Sequence, residues 1–494
     1  MEEIVNGINA IVWSNALIAV ALISGIFYSY KTKFVQVRQF KEMLRLLFGG
    51  KASDRGVSSF QAFAIAISGR VGTGNIAGVA TAIALGGPGA IFWMWVIAFL
   101  GSASAFIEAT LGQLYKQNKG GEYRGGPAYY IEYGLKIKWF AALFAIATIF
   151  ATAFFLPGVQ ANSIAAGVKA AFGFDPMYTG ITIVVFLAVI VFGGVKRIGK
   201  FSEIVVPFMA IAYVLVAVVI IAINFREIPT VLELIITSAF GVNQAFGGIA
   251  GMAIMWGVKR GVFSNEAGQG TAPHAAAAAE VSHPAKQGLV QAFSVYIDTL
   301  FVCTATAFMI LFTFQYNVID PSTDGGFLVN HIGDVAIGTE YTQLAIEHQF
   351  PGFGKIFVAI SLSFFAFTTI MAYYYIAETN VSYLDHENKK PWMIWALRIL
   401  LLGATFYGAI KSAELAWTMG DIGVGIMAWL NFIAIFMLRK PALALLKDYE
   451  RQKKQGIEEP LFDPDESHLD FEGMDLWRRV AKRFKEAEAN EGKE

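Results

Sequence analysis

The chain has 494 residues, 56% hydrophobic and only 15% charged, with 38 basic residues balanced by 38 acidic ones and a mean hydropathy of +0.53. Soluble domains carry about 25% charged residues, so this composition excludes an ordinary soluble protein. A net charge of zero offers no basic footprint for nucleic acid, and a single cysteine, Cys303, with six scattered histidines excludes a disulfide framework or a thiolate metal cluster.

Apolar stretches recur at about 8–30, 57–86, 88–115, 139–171, 177–195, 201–224, 230–258, 286–313, 351–380, 391–409 and 414–438. Judged against the roughly twenty residues a spanning helix needs, they predict an all-α polytopic membrane protein with about eleven transmembrane helices. The N-terminus, Met-Glu-Glu, lacks the basic region of a cleavable signal, so the first apolar segment is expected to stay as a helix. Residues 31–50 mix basic and apolar side chains, which fits an amphipathic helix on the bilayer surface or a plain connecting helix. Residues 1–56 thus form an N-terminal helix with a cytoplasmic amphipathic segment.

Lys and Arg set the orientation. The loops at 31–56, 116–138, 196–200, 259–286 and 381–391 hold twenty of them, whereas 225–233, 314–350 and 409–413 hold only Arg226 and Lys411. The first set is expected to be cytoplasmic, with the N-terminus outside and the C-terminus inside a cell membrane. The outer segment 314–350 carries Asp320, Asp324, Asp334, Glu340 and Glu347 and reads as a solvated loop or a cap that attracts cations. The tail 439–494 is too polar to span. It is expected to be a solvated cytoplasmic appendage, helical over 475–489.

One stretch departs from a plain spanning helix. Ser68–Trp95, SGRVGTGNIAGVATAIALGGPGAIFWMW, places Gly69, Gly72, Gly74 and Gly78 with Arg70, Thr73 and Asn75 inside an apolar run. Glycine is a poor helix former, and irregular backbone at membrane depth is tolerated where protein or a cavity surrounds it. The helix is therefore expected to open partway and form half of a solute site, close helix packing being the alternative. Polar groups at depth favour the site.

Without the first helix, ten spans divide into five and five, 57–224 and 230–438. Each half opens on a glycine-interrupted helix, and the odd step between them puts the two in opposite topology, the pattern of an inverted-repeat transporter. The second break has two candidates, Ala245–Gly251 (AFGGIAG) and Phe263–Gly270 (FSNEAGQG). Lys259 and Arg260 between them suit a cytoplasmic end. That assignment puts the break at Phe246–Gly251, after Asn243 and Gln244, and puts FSNEAGQG with Glu266 at the cytoplasmic mouth.

Val71-Gly-Thr-Gly-Asn75 with GGPGAIFWMW (Gly86–Trp95), FSNEAG (Phe263–Gly268) and Asp298-Thr299 within YIDTLFVCTATA together closely resemble the alanine or glycine:cation symporter family, over about Ser58–Leu438. The resemblance implies a LeuT-type fold and Na⁺- or H⁺-coupled uptake of a small neutral amino acid.

An amino-acid zwitterion needs opposite partners at its two ends, and a broken helix offers free carbonyls and free amides. Amides near Thr73, Gly74 and Asn75 suit a carboxylate; carbonyls from Gly69 to Gly72 suit an ammonium or Na⁺. Phe246, Gly247 and Gly248 are the matching candidates in the second break. Gln160, beside Asn162 and Ser163 after Pro157-Gly158, is a candidate substrate contact, by resemblance facing the first break; a hydrogen bond inside the bundle is the alternative. Asp298, about a dozen residues into its helix, is close to mid-membrane. It is a candidate for neutralising a cation, carrying a proton or pairing with Arg70. Thr368 and Thr369 offer hydroxyls that suit a hard cation or bond back to their own helix; the resemblance implies that this position faces the first broken helix and holds a sodium, and Gly69, Gly72, Asn75 and Asp298 are further Na⁺ candidates from their own chemistry. Glu108 reads as structural. Trp93, Phe246 and Phe367 are candidate pocket aromatics, or packing.

The expected function is a secondary active symporter coupling Na⁺ influx to uptake of alanine or glycine by alternating access, with a proton-coupled carrier using Asp298 as the alternative. The glycine-lined break favours a small side chain. No metal cluster or nucleophile–base pair stands at helix depth, so an enzyme is not expected, and two unequal breaks do not make a channel filter. The expected partners are the amino acid, the cation and the lipid bilayer, with neither nucleic acid nor an obligate protein partner.

Overall fold

The computed structural model describes residues 2–48, 56–192, 194–323, 325–385, 390–467, 469 and 471–491; the expectations resting on Lys51, Arg55, Asp324 and Lys389 lie outside them. The chain begins with α1 (Glu2–Val12) and α2 (Asn15–Lys31), then the short α3 (Val35–Arg38) and α4 (Phe40–Leu47). α4 packs Met43, Leu46 and Leu47 inward and leaves Phe40 and Leu44 exposed, as an amphipathic segment should.

The first opened helix is α5 (Ser59–Arg70), a π-helical turn at Gly74–Gly78, and α6 (Val79–Gly86). A capping box starts it: Gln61 N–H donates to Ser58 Oγ and Ser58 N–H to Gln61 Oε1, both at 3.1 Å, which satisfies two amides no helical turn can. Then come α7 (Gly89–Leu114), the hairpin β1 (Gln117–Lys119) and β2 (Glu122–Arg124), α8 (Pro127–Leu135), α9 (Lys138–Phe150) running through a π turn into α10 (Leu156–Phe172), α11 (Pro176–Val191) and α12 (Gly194–Ile223).

The second opened helix follows α13 (Ile228–Ala239). It is α14 (Ala250–Asn265) with α15 (Ala272–Ala278), so the expected break at Phe246–Gly251 is corrected to Glu266–Thr271. Gly241, at φ +69°, ends α13; Ala245 N–H bonds Asn243 Oδ1 at 3.0 Å, and Gly247 and Gly248 lie exposed in a turn before α14. Phe246 is buried against Gly87 at the end of α6. Lys259 and Arg260 mark no helix end. Both are buried inside α14 on one carboxylate, Asp421, at 2.7 and 2.5 Å, and their charges face the rings of Trp13, Trp256, Phe263 and Trp417. A buried, paired charge carries no topological information.

The remainder is α16 (Pro284–Val295), a π segment at Tyr296–Cys303, α17 (Thr304–Phe312), the hairpin β3 (Asn317–Ile319) and β4 (Phe327–Asn330), α18 (Thr339–Gln349), α19 (Gly354–Leu384), α20 (Pro391–Ile410), α21 (Ala413–Met437), α22 (Arg439–Lys454) and α23 (Asp475–Glu491). The described residues of 314–350 thus hold a hairpin and a helix, and α18 packs on α19 and on the π turn of the first opened helix. Among the described residues eight helices are long and apolar enough to cross a membrane, and Gly74–Gly86 and Pro176–Val191 are shorter apolar helices. The fold is an all-α polytopic membrane protein.

The tail is not a free appendage. Leu445, Tyr449, Phe462, Trp477 and Val480 are buried in the same core as the spanning helices.

Candidate functional site

The first helix opens where glycine leaves room. After Arg70 the backbone of Val71 is extended, and a Cβ on Gly72 would lie 2.5 Å from Thr369 Oγ1 and 2.9 Å from Gln160 Oε1. Only glycine lets α19 and α10 bring polar groups this close. The opened backbone is held by side chains: Gly72 N–H donates to Asn75 Oδ1 at 2.8 Å and Thr73 N–H to Gln160 Oε1 at 3.0 Å. Thr73, Gly74, Asn75 and Gln160 therefore come together, although Gln160 meets an amide of the break itself. Thr73 Oγ1 is buried with no hydrogen-bond partner among the described residues.

On the other side of the break, Thr369 Oγ1 lies 2.8 Å from Ser68 O, 3.4 Å from Val71 O and 3.0 Å from Phe365 O, and Thr368 Oγ1 bonds Phe365 O at 2.9 Å. One hydroxyl proton stands among three carbonyl oxygens, and it satisfies only one of them fully. Thr369 Oγ1 thus bridges its own helix and two carbonyls of the first opening, while Thr368 Oγ1 bonds back within α19. The carbonyls turned to the threonines are those of Ser68 and Val71, one residue earlier than the expected Gly69 and Gly72; Gly72 O accepts from Asn75 N instead.

The second opening, Glu266–Thr271, faces the first. A Cβ on Gly74 would meet Ser264 Cα at 3.1 Å, and one on Gly69 would meet Glu266 Oε2 at 3.4 Å. Glu266, Gly268 and Gly270 all have positive φ, +55°, +82° and +85°, so the chain cannot continue as a helix. Glu108 of α7 reaches into this opening: Gly268 N–H donates to its Oε1 at 3.2 Å, Gly270 N–H to its Oε2 at 3.1 Å, and Asn431 Nδ2 to Oε2 at 2.7 Å. Glu266 Oε2 accepts from Thr271 Oγ1 at 2.8 Å.

Asp298 sits in the π segment between α16 and α17, buried, and accepts from Asn75 Nδ2 at 2.6 Å, Ser264 Oγ at 3.0 Å and Thr299 Oγ1 at 2.7 Å. It joins both openings, with Cys303 beside it. Among the described residues no basic group is within ion-pair distance of it. Arg70 instead donates from Nη1 to Gln291 O at 3.2 Å and to Ser294 Oγ, and its buried Nε and Nη2 have no hydrogen-bond partner among the described residues.

Some expected contacts lie elsewhere. Phe246, Gly247 and Gly248 are in the turn before α14, Trp93 bonds Ala239 O at 3.3 Å, and Phe367 packs on Phe201. Sequence reasoning did not single out Ser264, and Glu108, read as structural, holds the backbone of the second opening. FSNEAGQG held the signal, since glycines two apart beside polar residues mark an open backbone as clearly as VGTGN does.

Two helices opened side by side within a set of membrane-length helices define a polytopic helical membrane protein built around a paired break. Comparison with known proteins makes this particular: the profile of the sodium:alanine symporter family matches residues 1–464, and the chain belongs to that family. It is therefore a transporter rather than an enzyme, and a multi-pass protein of the cell membrane. It is 60% identical to the putative sodium/proton-dependent alanine carrier protein YrbD of Bacillus subtilis (strain 168), over 97% of this chain and 98% of that one. It is 53% identical to the sodium/proton-dependent alanine carrier protein of Bacillus sp. (strain PS3), over 90% and 99%, and 44% identical to the probable sodium/glutamine symporter GlnT of B. subtilis (strain 168), over 97% and 96%.

Proposed function

We propose that this protein couples downhill Na⁺ entry to uptake of alanine. The carrying observation is the group of three carbonyl oxygens around the Thr369 hydroxyl, directly beside the amides of the opened α5. Na⁺ takes the Ser68, Val71 and Phe365 carbonyls with the Thr368 and Thr369 hydroxyls. The amino acid places its carboxylate at the Thr73–Asn75 amides, the first of which is held by Gln160 Oε1 while Asn75 Oδ1 holds the Gly72 amide just before them, and its ammonium toward the carbonyl side. Small neighbours at Gly72 and Gly74 suit a methyl side chain or the hydrogen of glycine. The names of relatives at 53–60% identity, alanine carriers dependent on sodium or protons, support the same substrate.

The architecture that fits is an N-terminal helix followed by two inverted five-helix repeats of LeuT type, eleven spans in all. The N-terminus is outside, and the second repeat begins at α14 rather than at residue 230. Na⁺ and alanine both stabilise the closed pair of breaks, so each raises affinity for the other, and rocking the opened helices against the scaffold alternates access. The test is counterflow of labelled alanine in proteoliposomes. Stimulation by an inward Na⁺ gradient is expected, and uptake indifferent to both Na⁺ and pH gradients overturns the reading.

A second reading, proton coupling, is favoured by one observation: Asp298 is a buried carboxylate with hydrogen-bond donors but, among the described residues, no basic partner, and such a group calls for a cation or a proton. Asp298→Asn then abolishes uptake driven by a pH gradient and spares uptake driven by Na⁺. Loss of neither assigns Asp298 to structure alone.

A further inference from the structure

The leading end of α5 and the trailing end of α15 are stitched together. Val57 N–H donates to Ala278 O and Glu280 N–H to Val57 O, both at 2.9 Å. This seam joins the inner halves of both opened helices, and they must part for the site to open inward. The other edge of the same segment, Ala279–His283, is gripped by the C-terminal tail. Phe462 N–H donates to Ser282 O at 2.9 Å, Ser282 Oγ donates to Pro460 O at 2.7 Å, Arg483 pairs with Glu280 at 2.9 Å, and Lys286 pairs with Glu459.

One tail residue anchors this grip. Trp477 is 1% exposed and its indole N–H donates to Leu114 O at 3.0 Å, at the end of α7. Its ring lies 5.0 Å from the Lys116 ammonium, which in turn donates to Ala279 O at 2.9 Å. Ring, ammonium and seam carbonyl therefore stand in line. A solvated appendage does not bury a tryptophan and an adjoining phenylalanine, because exposing them again costs hydrophobic free energy.

We propose that the tail, through Glu459, Pro460, Phe462, Trp477 and Arg483, is an intramolecular ligand of the surface formed by Leu114, Lys116, Tyr123, Glu280 and Ser282, with Trp477 as its anchor, and that docking there latches the inner seam shut. Inward opening then requires release of the tail, so the tail sets the rate of that step. The proposal rests on the transporter reading for its meaning but not for its test.

The test is hydrogen–deuterium exchange on the full-length protein in nanodiscs, comparing the parent with Trp477→Ala and with Arg483→Gln, a half-exposed position that spares the core. Exchange of the Val57 and Glu280 amides is expected to rise about tenfold or more in both, with the outer turn at Gly86–Gly89 unchanged. Two results overturn the proposal: α23 loses protection while the seam amides keep theirs, which removes the latch, or α23 stays protected when Trp477→Ala and Arg483→Gln are combined, which removes Trp477 as its anchor. Alanine counterflow on the same samples separates the questions, since a protein that carries no alanine but still couples tail to seam sinks the transport reading and leaves the latch standing.

Discussion

Gly72 is where a missing side chain matters most. Its absent Cβ is the space in which Thr369, Gln160 and the opened backbone meet. Gly72→Ala is expected to lower alanine uptake at least about tenfold while leaving the protein folded, read by initial uptake rate and by thermal unfolding in parallel; a tenfold change corresponds to about 1.4 kcal/mol, within the cost of displacing one buried hydrogen bond. Thr369→Val keeps the shape and removes the oxygen, so the Na⁺ concentration for half-maximal uptake is expected to rise about tenfold or more, with a smaller effect on alanine affinity at saturating Na⁺. The VGTGN segment was legible because its signal is local: glycines and polar residues stand within one turn of each other. The partners of Lys259 and Arg260 were not, since Asp421 lies 161 positions away from Arg260 and nothing near them in sequence announces that their charge is neutralised.

At the scale of elements, α14–α15 shows why one helix opening was found and the other misplaced. Loop charge is a sound guide to topology when the charges are exposed, and these two are not. The glycines of AFGGIAG end one helix and begin the next, a use indistinguishable in composition from opening a helix. Glu108 was read as structural, and what it holds is the backbone of the second opening. Glu108→Leu removes the acceptor for two buried amides, at about 1–3 kcal/mol for each. A clear fall in melting temperature is expected with loss of uptake, and Glu108→Gln, which keeps one acceptor, is expected to fall between parent and Leu variant.

Across the whole molecule, the spanning core was legible from hydropathy and the docked tail was not. The tail's buried anchors, Leu445, Tyr449, Phe462 and Trp477, are spaced through a polar segment without a helical period long enough to register. Their partners, Glu42 for Tyr449, His283 for Tyr449 and Phe462, and Leu114 at the end of α7 for Trp477, are far off in sequence. The interface also contains a titrating group. Burial pushes Lys116 down to about 7, against Glu280, which pulls it up, and with Arg483 adding to the depression. An exposed lysine keeps its proton to about 10.4, so between these values the docked state binds fewer protons than the released one and gains stability as pH rises. Below about pH 7 the full cost of burying the charge is present. Protection of the α23 amides, corrected for intrinsic exchange, is therefore expected to increase from pH 7 toward pH 9, and Lys116→Met is expected to flatten that dependence.

Glu108 has one more consequence. By holding the Gly268 and Gly270 amides, its carboxylate takes the place of the helical turn that the chain gave up at the second opening. The segment has nothing to gain by winding shut when the pocket empties. Solute that arrives meets a backbone already undone, and no part of its affinity is spent on undoing it. Calorimetry of alanine binding should then show the small heat-capacity change of docking into a preformed cleft, and not the larger one of a helix melting around its guest.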